Sequence, residues 1–346
     1  MATQRHLGPY MLLYQISTGG MAEIYRAHST VEDGLHVAIK RPLAMYNEDE
    51  EFILMLTDEA RVTSQINHEN IVRVIEFGVS NGQHFLAMEF VDGVDFRRLL
   101  KRLAARLERL PIEVATHVVL EVLKGLEAAH SQTDREGVPL QIVHRDVTPS
   151  NVLVAYDGRV KLTDFGIAKD RFTRSRTQAG FIKGKLKYMS PEQTRHEPLD
   201  ARSDVFSVGC ILYLATTGRL PFEGEGADVI LEAVRHHDPP PPSLLNNGLD
   251  TDFDALMYRA LHKDLSGRFC SAEAMRSALA DWCRQREIGD GQAGLVRTMR
   301  RLFSQDKLEE ARRYSRSVKD DDPTPVTEVA SYTRLVGLDA TGFRRG

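Results

Sequence analysis

The sequence predicts an α+β chain built as two lobes, a small β-rich lobe followed by a larger helical lobe, with a cleft between them. Three observations lead there. Short apolar runs separated by turn residues fill the stretch before Gly93; after Gly93 the apolar spacing turns mostly helical; and nothing in the chain repeats internally. With 346 residues there is room for a sizeable core, and 42% hydrophobic against 27% charged residues excludes wholesale disorder.

In chain order, Tyr10–Ile16, Glu23–His28, His36–Arg41, Val72–Val79 and His84–Phe90 read as strands of one antiparallel sheet. Between the third and fourth, Glu48–Ile66 carries Phe52, Leu56, Val62 and Ile66 close to helical spacing, as a helix packed on that sheet would. Helices are then expected at Phe96–Leu107, Ile112–His130, Arg202–Thr217, Ala227–His236, Asp252–His262 and Ser271–Arg286. The four prolines Pro239–Pro242 must form an extended connection. Ala293–Ser317 reads as a basic helix that admits two roles. Arg297, Arg300, Arg301, Arg312 and Arg313 would let it touch an anionic membrane or a partner, whereas Leu295, Met299, Leu302 and Phe303 on one side suit it to docking on the helical lobe, the plainer expectation. After it, prolines and mixed charges without periodicity indicate a poorly ordered tail. The resulting division is 10–91 for the small lobe, 92–286 for the large lobe and 287–346 for the basic helix and tail.

Composition narrows the function classes. A net charge of −4 gives no global reason to expect nucleic-acid binding. Cys210, Cys270 and Cys283 are odd in number and lack CxxC spacing, so neither a disulfide framework nor a zinc site is indicated. The N-terminus lacks the pattern of a signal peptide, and the longest apolar run, Val208–Ala215, is far short of the roughly 20 residues that span a bilayer. A soluble cytoplasmic protein with no integral membrane segment is the expectation.

Several stretches suggest chemistry. Ile16-Ser-Thr-Gly-Gly-Met-Ala-Glu-Ile24 lies between two strands, where small residues would let backbone N–H groups approach polyphosphate oxygens; taken alone, Gly-Gly between strands is usually only a hairpin turn. Val37-Ala-Ile-Lys40 ends an apolar strand on a lysine, which either meets an anion or snorkels to water. Glu59, on the helix facing it, is its candidate partner. In His144-Arg-Asp-Val-Thr-Pro-Ser-Asn151, Asp146 and Asn151 can converge on one hydroxyl and one metal, and Leu162-Thr-Asp-Phe-Gly166 adds the carboxylate of Asp164. A carboxamide and a carboxylate form a hard-oxygen site suited to Mg²⁺.

In this order and spacing, with Ser190-Pro-Glu192 downstream, the stretches resemble the protein-kinase signature set, and the chain is similar to bacterial, eukaryote-like serine/threonine protein kinases. The likeness runs from about Tyr10 to Trp282 and includes Met88-Glu-Phe-Val91, Asp204 ahead of Phe206-Ser-Val-Gly209, Leu220-Pro-Phe222 and Gly267-Arg-Phe269. It implies the bilobal protein-kinase fold with ATP in the cleft and Mg²⁺ as the metal. By this resemblance Lys40 holds the α- and β-phosphates with Glu59 keeping it in place, Asp146 accepts the substrate hydroxyl proton, and Asn151 and Asp164 bind Mg²⁺. Ile16, Ser17, Gly19 and Ala22 belong to the phosphate loop. Ile24, Ala38 and Leu153 sandwich the adenine, the backbone of Glu89 and Val91 bonds its edge, and Met88 closes the back of the pocket. Glu192 and Arg268 resemble the ion pair that braces the large lobe. Thr177, with Thr173 and Ser175 as further candidates, stands where related kinases carry a phosphate, and Arg145 is the arginine such a phosphate would pair with.

The chain also departs from the family. Of the three loop glycines only Gly19 remains, with Ser17 and Ala22 at the others. Thr63 replaces a larger apolar residue on the helix of Glu59, which is expected to weaken its packing. Thr148 stands where a catalytic-loop lysine is usual, and Lys185 where the activation segment usually has threonine. Because the two positions adjoin in the family fold, Lys185 is expected to take over the γ-phosphate role, with Thr148 hydrogen-bonded to Asp146 or Lys185. A pseudokinase that holds nucleotide or partners without transfer is the alternative, and Lys40, Asp146 and Asp164 argue against it. A small-molecule kinase of the same fold would lack the activation segment and the SPE motif. Expected partners are proteins with Ser or Thr to be phosphorylated, and an upstream kinase or adaptor acting through the tail.

Overall fold

The computed structural model describes residues 6–166, 184–319 and 332–337. The small lobe is a seven-stranded sheet in the order β1-β2-β3-β4-β6-β5-β10, with every neighbouring pair antiparallel. Its strands are β1 (His6–Leu7), β2 (Tyr10–Thr18), β3 (Ala22–Ser29), β4 (His36–Pro42), β5 (Val74–Ser80), β6 (Gln83–Glu89) and β10 (Tyr332–Gly337). Alternation along the strands gives the sheet two apolar faces. On β6, Leu86 and Met88 join Phe52, Leu56 and Ala60 of helix α1 (Glu50–Thr63), whereas Phe85 and Ala87 join Leu7, Tyr10, Val37 and Ile39 on the opposite face. Asp49 starts α1 by accepting a hydrogen bond from the Phe52 N–H, as an acidic N-cap should.

The large lobe is helical: α2 (Phe96–Ala104), α3 (Ile112–His130), α4 (Pro191–Arg195), α5 (Ala201–Thr217), α6 (Ala227–His236), α7 (Thr251–Ala260) and α8 (Ala272–Gln285). Val114, Val118 and Val122 of α3 pack in one core with Val205, Val208 and Leu212 of α5 and with Met275 and Leu279 of α8. A second sheet, β7 (Gly93–Asp95), β8 (Val152–Ala155) and β9 (Val160–Leu162), lies at the junction with the small lobe, where Val72 N–H donates to Leu162 O. The proline run stays extended until Pro242, which opens a single 3-10 turn.

Helix α9 (Gly291–Lys319) extends the helix expected at Ala293–Ser317 at both ends. Leu295, Met299, Leu302 and Phe303 are buried in the large-lobe core, so the docked reading of this helix is the observed one. A Cβ on Gly291 would sit 2.1 Å from Glu113 O, so the glycine lets α9 start directly against the backbone of α3.

The tail differs from expectation. Tyr332–Gly337 forms β10, an edge strand antiparallel to β5, inside the stretch that read as poorly ordered. The reason is local: YTRLVG is rich in aromatic and β-branched residues, and the outer edge of β5 offers unpaired backbone groups. Arg334 fixes the register through Glu76, whose carboxylate is buried in the sheet (2.6 Å). Strand β1 was also not anticipated. The rest of the tail lies outside the described residues.

Candidate active site

The site lies where the underside of the first sheet meets the large lobe. Register pairs Ile24 with Lys40 and Arg26 with Ala38, and antiparallel partners share a face, so all four project from one side of β3 and β4. At the end of β4, Lys40 Nζ donates to Glu59 Oε1 of α1 at 2.9 Å and to Asp164 Oδ1 at 2.7 Å. Burial works against its positive charge, but the carboxylates of Asp164 and Glu59 more than offset this and hold its pKa above the ordinary lysine range. Sequence order alone does not show that one ammonium joins three separate elements.

The loop that carries Asp146 is positioned by a carboxylate. Asp204, in the first turn of α5 and 1% exposed, accepts from His144 N–H (2.8 Å) and Arg145 N–H (2.9 Å), and from His130 Nε2 (2.8 Å). Burial would raise its pKa, yet the His130 hydrogen bond and the neighbouring donors leave it lowered, so it stays ionised as an acceptor. Arg145 and Asp164 sit in the left-handed backbone region, with φ of 66° and 58°. Such conformations persist only where surroundings impose them. Here Asp204 holds one, and the Gly166 N–H bonded to His144 O (2.8 Å) ties the other to the catalytic loop. Gly166 is required for this contact, since a Cβ there would lie 2.9 Å from the Asp146 Cβ.

Around Asp146, Asn151 Nδ2 donates to its backbone O at 2.8 Å and to Oδ2 at 3.1 Å, while Lys185 Nζ reaches the same Oδ2 at 2.6 Å. Lys185 thus lies against Asp146, the residue beside which the exchange of types with position 148 places it. Thr148 does not take the expected partner. It is buried ahead of the 3-10 turn Pro149–Asn151, and among the described residues no hydrogen bond joins its hydroxyl to Asp146 or Lys185. Its φ of −139° and ψ of 159° begin that turn, and Pro149 follows, so backbone conformation rather than the hydroxyl governs this residue.

Ala38, Val91 and Leu153 pack against the cluster that contains Met88, which is buried at its back. Ile24 is half-buried on the same sheet face, whereas Ile16, Ser17 and Gly19 are exposed and Ala22 closes the loop by accepting from Gly19 N–H (2.8 Å). Glu89 spends its N–H on Arg73 O, so a hydrogen bond from this residue to an adenine has to use its carbonyl. Its side chain is held by Lys161 of β9 at 2.5 Å. Nothing in the sequence points to this ion pair, and Asp204 is marked there only as a match to the family pattern, without a role. The signal for Asp204 was a carboxylate within an otherwise apolar helix, which demands buried donors.

Glu192 and Arg268 form the expected ion pair, at 2.6 and 2.7 Å and almost fully buried. Gln193 closes a capping box with Ser190 at the start of α4 and donates to Arg145 O at 2.8 Å, joining the SPE turn to the catalytic loop. Thr63 is buried and its hydroxyl has no hydrogen-bond partner among the described residues; even so, α1 is packed and Glu59 is in place. Thr173, Ser175 and Thr177 lie outside the described residues.

Asn151 and Asp164 together supply one carboxamide and one carboxylate, a small donor set that suits a cation bound chiefly by phosphates and water, as Mg²⁺ is. Among the described residues there is no cluster of three or more His, Cys, Asp or Glu that would instead cage a metal alone.

The cleft thus sets an ammonium that bridges the sheet, the helix and an Asp-Phe-Gly turn beside a loop aspartate, and the chain belongs to the protein kinase domain family, whose pattern matches residues 10–280. Among its relatives are the tyrosine-protein kinase MasK of Myxococcus xanthus, 35% identical over 94% of this chain, and the serine/threonine-protein kinase PknL of Mycobacterium tuberculosis, 36% identical over 78%. The chain spans 49% of the former and 64% of the latter. In structure it resembles the Mycobacterium tuberculosis PknI kinase domain, with a TM-score of 0.60 and 25% identity over 81% of this chain and 99% of that one. Among the described residues no helix is long and apolar enough to cross a membrane.

Proposed function

We propose that the chain transfers the γ-phosphoryl group of ATP to serine and threonine hydroxyls of proteins, itself included. The observation that carries this reading is Lys40 bonded to both Glu59 and Asp164 in the cleft that also holds Asp146. In this reading Lys40 binds the α- and β-phosphates, and Asp146 orients the attacking hydroxyl and takes its proton. Asn151 and Asp164 hold Mg²⁺, which neutralises phosphate charge when bound. Ile24, Ala38 and Leu153 enclose the adenine. A cytoplasmic place of action fits the use of ATP. An upstream kinase or an adaptor, reaching the tail or the segment with Thr173, Ser175 and Thr177, would supply the signal.

Likeness to MasK favours one second reading, transfer to tyrosine. Incubating the full chain with radiolabelled ATP and a generic protein, then hydrolysing to phosphoamino acids, decides between them. Phosphoserine and phosphothreonine support the first reading, phosphotyrosine alone the second, and no label at all leaves a nucleotide-holding module without transfer.

Lys185 is proposed to do the work of the absent catalytic-loop lysine. Its position on Asp146 Oδ2 brings a positive charge to the place where hydroxyl and γ-phosphate would meet. Removing one preorganised charge from such a site lowers turnover by roughly a hundredfold. Lys185→Met is therefore expected to reduce kcat by that order with little change in the KM for protein substrate, and Thr148→Lys combined with Lys185→Thr to restore part of it. Wild-type turnover in Lys185→Met would refute the assignment.

A further inference from the structure

Arg26 is an unexpected residue for its position. It shares the sheet face of Ile24, Ala38 and Lys40, the face that would cover the adenine, and only 15% of its side chain is exposed. A guanidinium that is mostly buried must be paired or stacked. Arg26 is both. Its guanidinium lies 4.3 Å from the ring centroid of Phe90 and 4.7 Å from that of Tyr314. It also donates to the Tyr14 hydroxyl at 3.0 Å and to Glu310 Oε1 at 3.3 Å.

Each partner has a distinct origin. Phe90 stands between Glu89 and Val91 in the segment that joins the lobes. Tyr14 belongs to β2 and donates its hydroxyl to Glu310 Oε1 at 3.0 Å. Glu310 and Tyr314 lie one turn apart on the same face of α9, the helix that follows the residues matched by the kinase family. The same helix is fixed to the large lobe by Leu295, Met299, Leu302 and Phe303. Asp306 pairs with Arg98 and Arg102 of α2, and Lys307 with Asp92 at 3.4 Å. A rigid rod rooted in the large lobe therefore ends beneath the small-lobe sheet, with His36 edge-on to Tyr314 at 5.3 Å as a second small-lobe contact.

We propose that Glu310 and Tyr314 are positioning residues for the nucleotide: they clamp Arg26 against Phe90 and so set the spacing between the sheet face of Ile24 and Ala38 and the interlobe segment that bonds the adenine edge. This rests on the reading of the cleft as an ATP site. Arg26 sits directly opposite Ala38 in the register, so a shift of its guanidinium is transmitted to that wall of the adenine slot through one strand pair. Lys40, Asp146 and Lys185 lie outside the clamp. Loosening the clamp should thus weaken binding of the adenine end while leaving the phosphoryl-transfer groups in register, a separation that a general loss of folding would not produce.

The test uses the full chain with Tyr314→Ala, Tyr314→Phe and Glu310→Gln. It measures the Kd for Mg-ATP by displacement of a fluorescent ATP analogue, alongside the KM for ATP and kcat. Loss of a desolvated cation–ring contact predicts that Tyr314→Ala raises Kd and KM roughly tenfold, with kcat changed less than about twofold. Tyr314→Phe keeps the ring and should behave as wild type. Glu310→Gln removes the charge beside Arg26 and should give a smaller rise, which keeps the test available if Tyr314→Ala does not fold. Unchanged Kd in both Tyr314→Ala and Glu310→Gln, a parallel fall in kcat, or failure of Tyr314→Phe to restore binding overturns the clamp. Wild-type chain that binds no ATP would overturn the reading of the cleft itself, and the clamp with it.

Discussion

Replacing Asp146 by Asn, or Lys40 by Met, is expected to lower phosphate incorporation from ATP by about three orders of magnitude or more. The two changes act at different points. Asp146→Asn keeps the side-chain shape but loses the negative charge that Lys185 and Asn151 contact, and with it the acceptor that the proposed mechanism assigns to the hydroxyl proton. Met at position 40 leaves the carboxylates of Glu59 and Asp164 without the ammonium between them, so they repel across the site. Autophosphorylation of purified protein with Mg-ATP, followed by radiolabel, measures both. Incorporation that persists in both variants would remove the assignment of the cleft as a kinase site.

Arg268→Ala should produce the largest loss of stability, about 3–5 kcal/mol, because it leaves the Glu192 carboxylate buried without its counter-charge. The arginine also donates to His262 O, Arg202 O and Lys263 O, so its removal orphans several carbonyls where the loop before α8 meets α5. The same pair has a pH signature. Burial opposes ionisation of Glu192, but the Arg268 hydrogen bonds and charge and the Ser203 hydroxyl leave its pKa lowered. A carboxyl whose folded pKa is depressed contributes stability that is present above its unfolded pKa and lost as pH falls through the folded one. Denaturant unfolding of wild type should therefore show stability falling below about pH 4.5, and the variant should lose part of that slope. Equal midpoints for the two proteins at neutral pH would contradict the argument.

Much of this site could be read from sequence because its members are spaced by fixed local geometry. Lys40 at a strand end, Asp146 and Asn151 in one loop, and Asp164 before Phe-Gly are set by short-range backbone conformation, and the structure brings them into one cleft. Helix starts were legible for the same reason, since Asp49, Asp95, Asp200, Asp250 and Ser271 each accept from a backbone N–H in the following turn. What went unread is long-range: the anchoring role of Asp204, which the sequence marks only as a family match, and the strand β10. Asp204 works through donors about sixty positions earlier in the chain, and β10 exists because β5 has an open edge. Neither partner is visible from the window around the residue itself. Thr148 failed differently: residue type suggested a hydrogen bond, whereas the turn begun by Pro149 set its conformation.

The C-terminal contacts of the small lobe also bear on the order in which the molecule is made. Tyr14 and Glu310 are 296 positions apart, and Arg334 reaches back 258 positions to Glu76. Strands β2 to β6 can pair as local hairpins soon after they leave the ribosome, but the clamp at Arg26 and the last strand must wait for the entire large lobe to be synthesised. During that interval β5 is an open sheet edge and Arg26 faces the hinge without its helix. Contacts that close the longest loops tend to form late, and edge elements with exposed backbone hydrogen bonds open at low free energy. Native-state hydrogen exchange should accordingly find β10 and the final turns of α9 opening well before α5, so that a chain newly released from the ribosome would pass through a folded large lobe with a small lobe not yet fastened to it.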